Sequence, residues 1–312
     1  MKKSLILIIA LLLVLTLSAG ALANEGAELA EKSQYTLTTP YQYPILPGTE
    51  EWGELKSLYA KIEACHVPEA ILSNMTTEAL FQTVLDYPLL INMIVYDNPQ
   101  MGFEAVRDYC NSLQALWDRP DAEEVVEAFL DTEECQEGRA LYRIFSTVLW
   151  KNLQGIPFVL PSLLYTPVII KTPGGERIEI RYDTTWADLN FTLSEAQAES
   201  DFLDDQYPDA TKIRAMNPAY NCHSYTFYST SSSNNVWIEP DQAEVFTWDG
   251  SFDEVTPGRA GDKVWYGRVH SGIYQYKSGD TVYVRSKWGA YGLYEHAVSD
   301  CPWPPPGVTY YR

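Results

Sequence analysis

The sequence predicts an α+β protein, in which a helical domain precedes a domain built from one cysteine-bearing helix and an antiparallel sheet. Three observations carry this. Apolar residues between Trp52 and Leu153 recur at helical spacing. Two β-rich runs flank the turn Pro173-Gly174-Gly175. From Asn217 onward aromatics become dense and short alternating runs replace the helical period.

The chain opens Met1-Lys2-Lys3, runs apolar from Leu5 to Leu17, and reaches Ala21-Leu22-Ala23. A basic start, an apolar stretch and an A-x-A site make a secretory signal peptide over 1–23. The apolar run is shorter than the roughly 20 residues of a spanning helix. The protein is therefore expected to be secreted, extracellular or in the cell wall, with no membrane contact after cleavage. Residues 24–50, with Thr39-Pro40, Tyr43-Pro44 and Leu46-Pro47-Gly48, read as a linker arm.

The helical domain covers 51–155. Thr76 or Thr77 caps a helix bearing Leu80, Val84 and Leu85, which Pro88 interrupts. Asn98-Pro99 is an N-cap with proline at the first helical position. Phe103, Val106, Cys110, Leu113 and Trp117 then predict one continuous helix ended by Pro120, with Cys110 on its buried stripe. Asp121 with Glu124 reads as an acidic capping box. Leu141, Ile144, Phe145, Val148 and Leu149 form another amphipathic face. No catalytic constellation stands out here. His66 is next to Cys65, but adjacent helical residues do not face each other. This domain is left as a candidate surface for an unknown protein partner.

Residues 156–214 connect the two parts. Val168 to Lys171 and Glu176 to Ile180 form a hairpin, and Leu193 to Leu203 reads as an acidic surface helix. Residues 215–312 form the second domain. Its strands are expected at Ala260 to Tyr266, His270 to Tyr276 and Thr281 to Ser286, with Lys277-Ser278-Gly279-Asp280 as a turn.

The formal charge of the 312 residues is −20, and the signal segment carries two lysines and no acid. Such an excess of carboxylates argues against nucleic acid as a partner. The five cysteines are Cys65, Cys110, Cys135, Cys222 and Cys301. An odd number in an exported chain leaves at least one free thiol. A Cys222 to Cys301 disulfide is the structural alternative to a reactive Cys222. There is no C-x-x-C, no H-E-x-x-H and no nucleotide loop, so no metal or cofactor is expected.

Chemistry concentrates in Asn221-Cys222-His223-Ser224-Tyr225 and Val269-His270-Ser271-Gly272-Ile273-Tyr274. A free thiol with a pKa near ~8.5 is mostly protonated at neutral pH and needs a neighbouring base. Cys222 at a helix start is the candidate nucleophile and His270, at a strand mouth, the candidate base. Ser286, ending the neighbouring strand, is chosen to orient His270, since Lys287 would add like charge to an imidazolium; His296 is the alternative. Asn221, Trp288 and His296 are the candidate substrate-facing residues. His223 is expected to serve packing or the rim.

Asn-Cys-His-Ser-Tyr at 221–225, Gly261-Asp262-Lys263-Val264 and His270-Ser271-Gly272-Ile273-Tyr274 resemble the Cys, Gly-Asp and His-x-Gly-Ile-Tyr blocks of NlpC-type and CHAP cell-wall peptidases, which are papain-like. The chain also resembles uncharacterised exported proteins of Gram-positive bacteria with Asn-Cys-His-Ser-Tyr and Ser-Lys-Trp-Gly blocks. The likeness covers residues 215–301. It implies a papain-like domain and a cysteine amidase or endopeptidase acting on peptidoglycan or another peptide, with Cys222 as nucleophile and His270 as base. The third position departs from that group, being Ser286 here. A catalytically silent binding protein with the same fold, and a transferase on the same Cys/His pair, are the alternatives.

Overall fold

The computed structural model describes residues 35–158, 168–303 and 307–312. The expected signal peptide and most of the linker arm's polar start lie outside the described residues, as do Pro161 and Pro167. The protein is α+β, with antiparallel pairing in both of its sheets.

The helical half runs α1 (Glu50–Gly53), α2 (Leu58–Ala64), α3 (Glu69–Leu72), α4 (Thr77–Leu85), a 3₁₀ stretch (Pro88–Val95), α5 (Pro99–Tyr109), α6 (Asn111–Trp117), α7 (Ala122–Leu130), α8 (Glu133–Glu137) and α9 (Ala140–Leu153). Its caps follow the sequence. The Thr76 side chain accepts from the Ala79 N–H, and the Asn98 side chain accepts from the Met101 N–H with Pro99 at the first position.

The long helix predicted across Cys110 is two helices. Cys110 takes extended backbone angles (φ −94°, ψ 98°) while its side chain stays fully buried. The Gln114 side-chain amide donates to the Arg107 and Asp108 carbonyls, which the break leaves without helical partners. The expected Asp121 capping box does not form either. Asp121 instead accepts a hydrogen bond from the Thr77 hydroxyl, which ties α7 to α4.

The hairpin forms as read, β1 (Val168–Lys171) against β2 (Arg177–Tyr182), with Ile170 opposite Ile178. The next helix, α10 (Leu193–Gln206), opens on a Thr192/Glu195 capping box. It is a surface helix with acids such as Asp201 and Asp205 on its exposed side, and it buries one face through Ala196, Glu199, Ser200, Leu203 and Gln206. Glu199 is held by Arg139 at 2.7 Å, and its other oxygen accepts from the Leu141 N–H. A buried carboxylate needs such partners.

The remaining elements are β3 (Thr211–Arg214), α11 (Cys222–Phe227), β4 (Val236–Trp237), α12 (Pro240–Glu244), β5 (Glu254–Val255), β6 (Lys263–Trp265), β7 (Ser271–Ser278), β8 (Thr281–Lys287), β9 (Leu293–Ala297) and β10 (Thr309–Tyr311). One sheet has the order β1-β2-β4 and the larger β3-β9-β8-β7-β6-β10-β5. A single apolar cluster joins both halves, including Leu89, Phe103 and Phe145 from the helices with Val264, Val284 and Trp288 from the sheet.

Several polar contacts fasten the halves, two of them at Ser299 and Asp300. The Leu58 N–H donates to the Ser299 carbonyl, and Lys61 pairs with Asp300 at 2.5 Å, both side chains nearly solvent-free. Gly289 supplies a further contact. At φ +51° a side chain there would put Cβ 2.7 Å from the Val95 carbonyl oxygen, so the turn after β8 lies flush on the exit of the 3₁₀ stretch.

Removing one member of a buried ion pair strands the other. Lys61→Met is expected to cost about 3–5 kcal/mol, read as a lowered urea midpoint, because Asp300 is left buried without its cation. The double variant Lys61→Met/Asp300→Leu should recover much of that loss. A single variant as stable as the parent would show that the pair does not hold the halves together.

Candidate active site

Asn221 begins the site. As N-cap of α11 it accepts from the Ser224 N–H at 3.1 Å and from the Ile238 N–H at 3.3 Å. Its side-chain NH₂ donates to Asp97 Oδ1 at 2.8 Å and to the Ile238 carbonyl at 2.7 Å. The amide thus makes four hydrogen bonds, its ordinary capacity. It fixes the first residue of α11, Cys222, and links it to Asp97 in the helical half. Asn221 is fully buried, so its role here is structural and it does not face a substrate.

His223 is the next residue along. Its Nδ1 lies 3.0 Å from the Ser271 hydroxyl at the start of β7. Its Nε2 lies 3.3 Å from Asp97 Oδ2, an ion-pair distance without the alignment of a straight hydrogen bond. Cys222 Sγ, a His223 ring nitrogen and an Asp97 carboxylate oxygen all lie within 4.8 Å of one another, and all three residues are buried. Burial by itself would push the His223 ring down; Cys222 and Asp97 outweigh it and raise the ring to about 10. The sequence places His223 at the rim or in packing. It is packed, against Trp265 with ring centroids 5.3 Å apart, and it also shares the cluster of Cys222.

His270 sits apart from this trio in its contacts. Its ring stacks on Trp303 at 3.5 Å and 5°, and neither ring nitrogen has a hydrogen-bond partner among the described residues. Burial, then the neighbouring His296 and His223, holds it well below its ordinary value. The expected link from Ser286 to His270 is not made. Ser286 instead bonds His296 Nε2 at 2.8 Å, because the β8–β9 register sets Ser286 opposite Tyr294 and brings His296 diagonally across. His296 Nδ1 lies 2.8 Å from its neighbour's carbonyl, Ala297, and the ring is pushed down to about 4, chiefly by burial.

Lys287 is fully buried with its ammonium donating to the Asn217 and Gly289 carbonyls. Burial holds it well below its ordinary value, with Cys222 the opposing influence. Trp288, expected to line a groove, is a core residue: it is fully buried, stacked on Tyr294 at 4.1 Å and edge-on to Tyr207. Nothing of His296 or Trp288 reaches solvent in a way that would meet a substrate.

All five cysteines are free thiols, so Cys222 and Cys301 are not joined. Cys301 instead directs its sulfur at the Val298 and Trp303 carbonyls. Cys222 is 2 % exposed. Asp97 also lines a narrow pocket, whose walls include Tyr96, Trp186, Trp237 and Tyr291 but not Cys222. The hydroxyls of Tyr96 and Tyr291, Asp97 Oδ2 and Trp237 Nε1 are buried there without partners among the described residues.

Asp97 is the residue that sequence reasoning missed. It lies 124 positions before Asn221, and no local spacing connects them. Its only sequence signal is its place just ahead of the Asn98-Pro99 helix start. Of the motif glycines, Gly272 is explained by packing, since a Cβ there would lie 3.0 Å from the Ser286 Cβ.

No family model, curated protein or solved structure matches the chain. Among the described residues no helix is long and apolar enough to cross a membrane.

The buried His296 makes a pH prediction with a definite sign. Its unfolded value is 6.5 and its folded value about 4. As pH falls below 6.5 the unfolded chain takes up a proton that the folded chain refuses, so stability present above 6.5 declines toward pH 4, by roughly 3 kcal/mol. Urea midpoints measured from pH 7 to pH 4 should show this decline, and His296→Gln should make it shallower, leaving the part that the buried His270 contributes with the same sign. An unchanged slope in that variant would mean that His296 is not held neutral.

Proposed function

We propose that the protein is a cysteine-dependent amide hydrolase with Cys222 as nucleophile and His223, held by Asp97, as its proton partner. The observation that supports this best is the meeting of the Cys222 sulfur, a His223 ring nitrogen and the Asp97 carboxylate within 4.8 Å. The base expected from the sequence, His270, lacks any comparable contact and packs on Trp303. The proton-transfer role therefore falls to the residue directly after the nucleophile.

The chemistry follows from the charges. A protonated His223 ring stabilises a thiolate beside it, and Asp97 stabilises the ring. The thiolate attacks the amide carbonyl carbon, giving a tetrahedral oxyanion. The N–H groups of Cys222 and His223, in the first turn of α11, have no partner within the helix and are available to that oxygen. The imidazolium then gives its proton to the departing amine, leaving a thioester. With the thiolate consumed, the neutral ring takes a proton from water, and hydroxide attack on the thioester releases the acid and restores the thiol.

Asp97 links the cluster to the narrow pocket walled by Tyr96, Trp186, Trp237 and Tyr291, which would have to open for an amide to reach the sulfur. Peptide amides, including those of peptidoglycan stem peptides, are the substrate class, and a secreted, papain-like enzyme is the setting that the sequence resemblance supports. The burial of Cys222 favours the second reading, a catalytically silent binding protein of the same fold.

Incubation with iodoacetamide across mildly acidic to mildly alkaline pH, with the label mapped, separates these readings. Labelling of Cys222 is expected to persist at acidic pH and to fall on His223→Ala but not on His270→Ala. Muropeptide cleavage read by mass should drop roughly 10³-fold or more in Cys222→Ala and about 10²-fold or more in His223→Ala. Added amine acceptor should leave the products unchanged. Dependence on His270 with indifference to His223 would return the role to His270, and absence of both labelling and cleavage would leave the binding protein.

A further inference from the structure

We propose that Asp97, Cys222 and His223 also form a site for a divalent transition-metal ion of the zinc class, and that the bound ion caps the Cys222 sulfur. The capping role rests on the hydrolase reading; the ion site does not.

Two of the three side chains already have one polar atom engaged on the far side. Asp97 Oδ1 is taken by the Asn221 amide at 2.8 Å, and His223 Nδ1 lies 3.0 Å from the Ser271 hydroxyl. What remains on each side chain is one atom facing the cluster, Asp97 Oδ2 and His223 Nε2. Both are buried and without a hydrogen bond among the described residues. Ligating histidines and carboxylates are held in this way, with the far atom tied to an outer partner and the near lone pair left for the ion. When Nδ1–H donates to Ser271, Nε2 presents that lone pair.

The spacing agrees. Ligands about 2.0–2.3 Å from a tetrahedral zinc lie about 3.3–3.7 Å from one another. The Oδ2 to Nε2 separation of 3.3 Å fits one edge of such a site, and the sulfur lies no more than 4.8 Å from a ring nitrogen of His223 and a carboxylate oxygen of Asp97, so it would draw in on binding. The Oδ2 to Nε2 contact is also misaligned for a hydrogen bond, as expected of two lone pairs aimed at a common point. Sulfur, imidazole nitrogen and carboxylate oxygen together suit zinc or cobalt over magnesium or calcium. A thiolate and a carboxylate balance the two positive charges of the ion, which a buried site requires.

In the thiolate–imidazolium form the proton lost on binding is that of His223 Nε2, which goes to solvent and frees the ring lone pair, while the Cys222 thiolate bonds the ion directly; one proton is released and no oxidation state changes. The ion then occupies the electron pair that nucleophilic attack needs.

The test is a cobalt(II) titration of the full chain stripped of metal by a chelator. A thiolate-to-cobalt charge-transfer band in the near ultraviolet should grow to one ion per chain and vanish on adding zinc. Cys222→Ser should lose the band, and Asp97→Asn and His223→Gln should each weaken binding on the order of 10-fold to 100-fold, with circular dichroism confirming that each variant folds. Zinc should slow iodoacetamide labelling of Cys222 at least about 10-fold, reversed by chelator. No charge-transfer band, or one that survives Cys222→Ser, overturns the site. A band accompanied by unchanged labelling overturns the capping. If the band forms but metal-free protein cleaves nothing, the ion site stands and the hydrolase reading fails. If metal-free protein cleaves and no band forms, the hydrolase reading stands and the ion site fails.

Discussion

The carboxamide of Asn221 holds the site together. Its oxygen starts the cysteine helix and its nitrogen reaches both Asp97 and the end of β4. Neither contact is replaceable by a side chain that only donates or only accepts, since both ends of the amide are in use. Because Asn221 is buried, each of those groups would lose a partner in a place water does not reach, where an unmade hydrogen bond costs about 1–3 kcal/mol. The start of the cysteine helix, the end of β4 and Asp97 of the helical half therefore meet at a single residue.

Around that anchor the protein gathers three of its four histidines, a lysine, a cysteine and an aspartate into an interior that would not ordinarily hold charge. The environments differ in what each ring meets. His223 has a carboxylate and a thiol beside it, which raise its affinity for a proton. His270 faces Trp303 and other rings, and His296 faces a hydroxyl and a carbonyl, so burial drives both toward the neutral form. Lys287 meets two carbonyl oxygens and the Tyr220 ring, with no carboxylate among its partners in the described residues. The same residue type is thus shifted in opposite directions at equal burial, by what each ring meets.

The helical half takes part in this arrangement. Val95 lies under Gly289, Asp97 joins the cysteine, and Lys61 reaches Asp300. These contacts make the position of the 3₁₀ stretch before α5 a determinant of the site's geometry. A displacement of that stretch would separate Asp97 from His223 and widen the cleft that Asp97 helps to wall, which couples access to the sulfur with the charge around it.

Local features were legible in the amino-acid order alone. The Thr76 and Asn98 caps, the hairpin about Pro173-Gly174-Gly175, the strands flanking Gly279 and the placement of Cys222 at a helix start all rest on backbone preferences and side-chain period, which act within a few residues. The break at Cys110 escaped the periodic reading because the apolar stripe continues across it, and the stripe does not report whether a carbonyl has a partner. Which ring joins the sulfur was settled only by the folded chain. His223 and Asp97 meet through strand register, the Asn221 amide and a chain separation of more than a hundred residues, and no short-range preference encodes a distance of that kind. The placing of Trp288 and His296 in the core was settled there too, since burial is a property of what the rest of the chain brings to cover them.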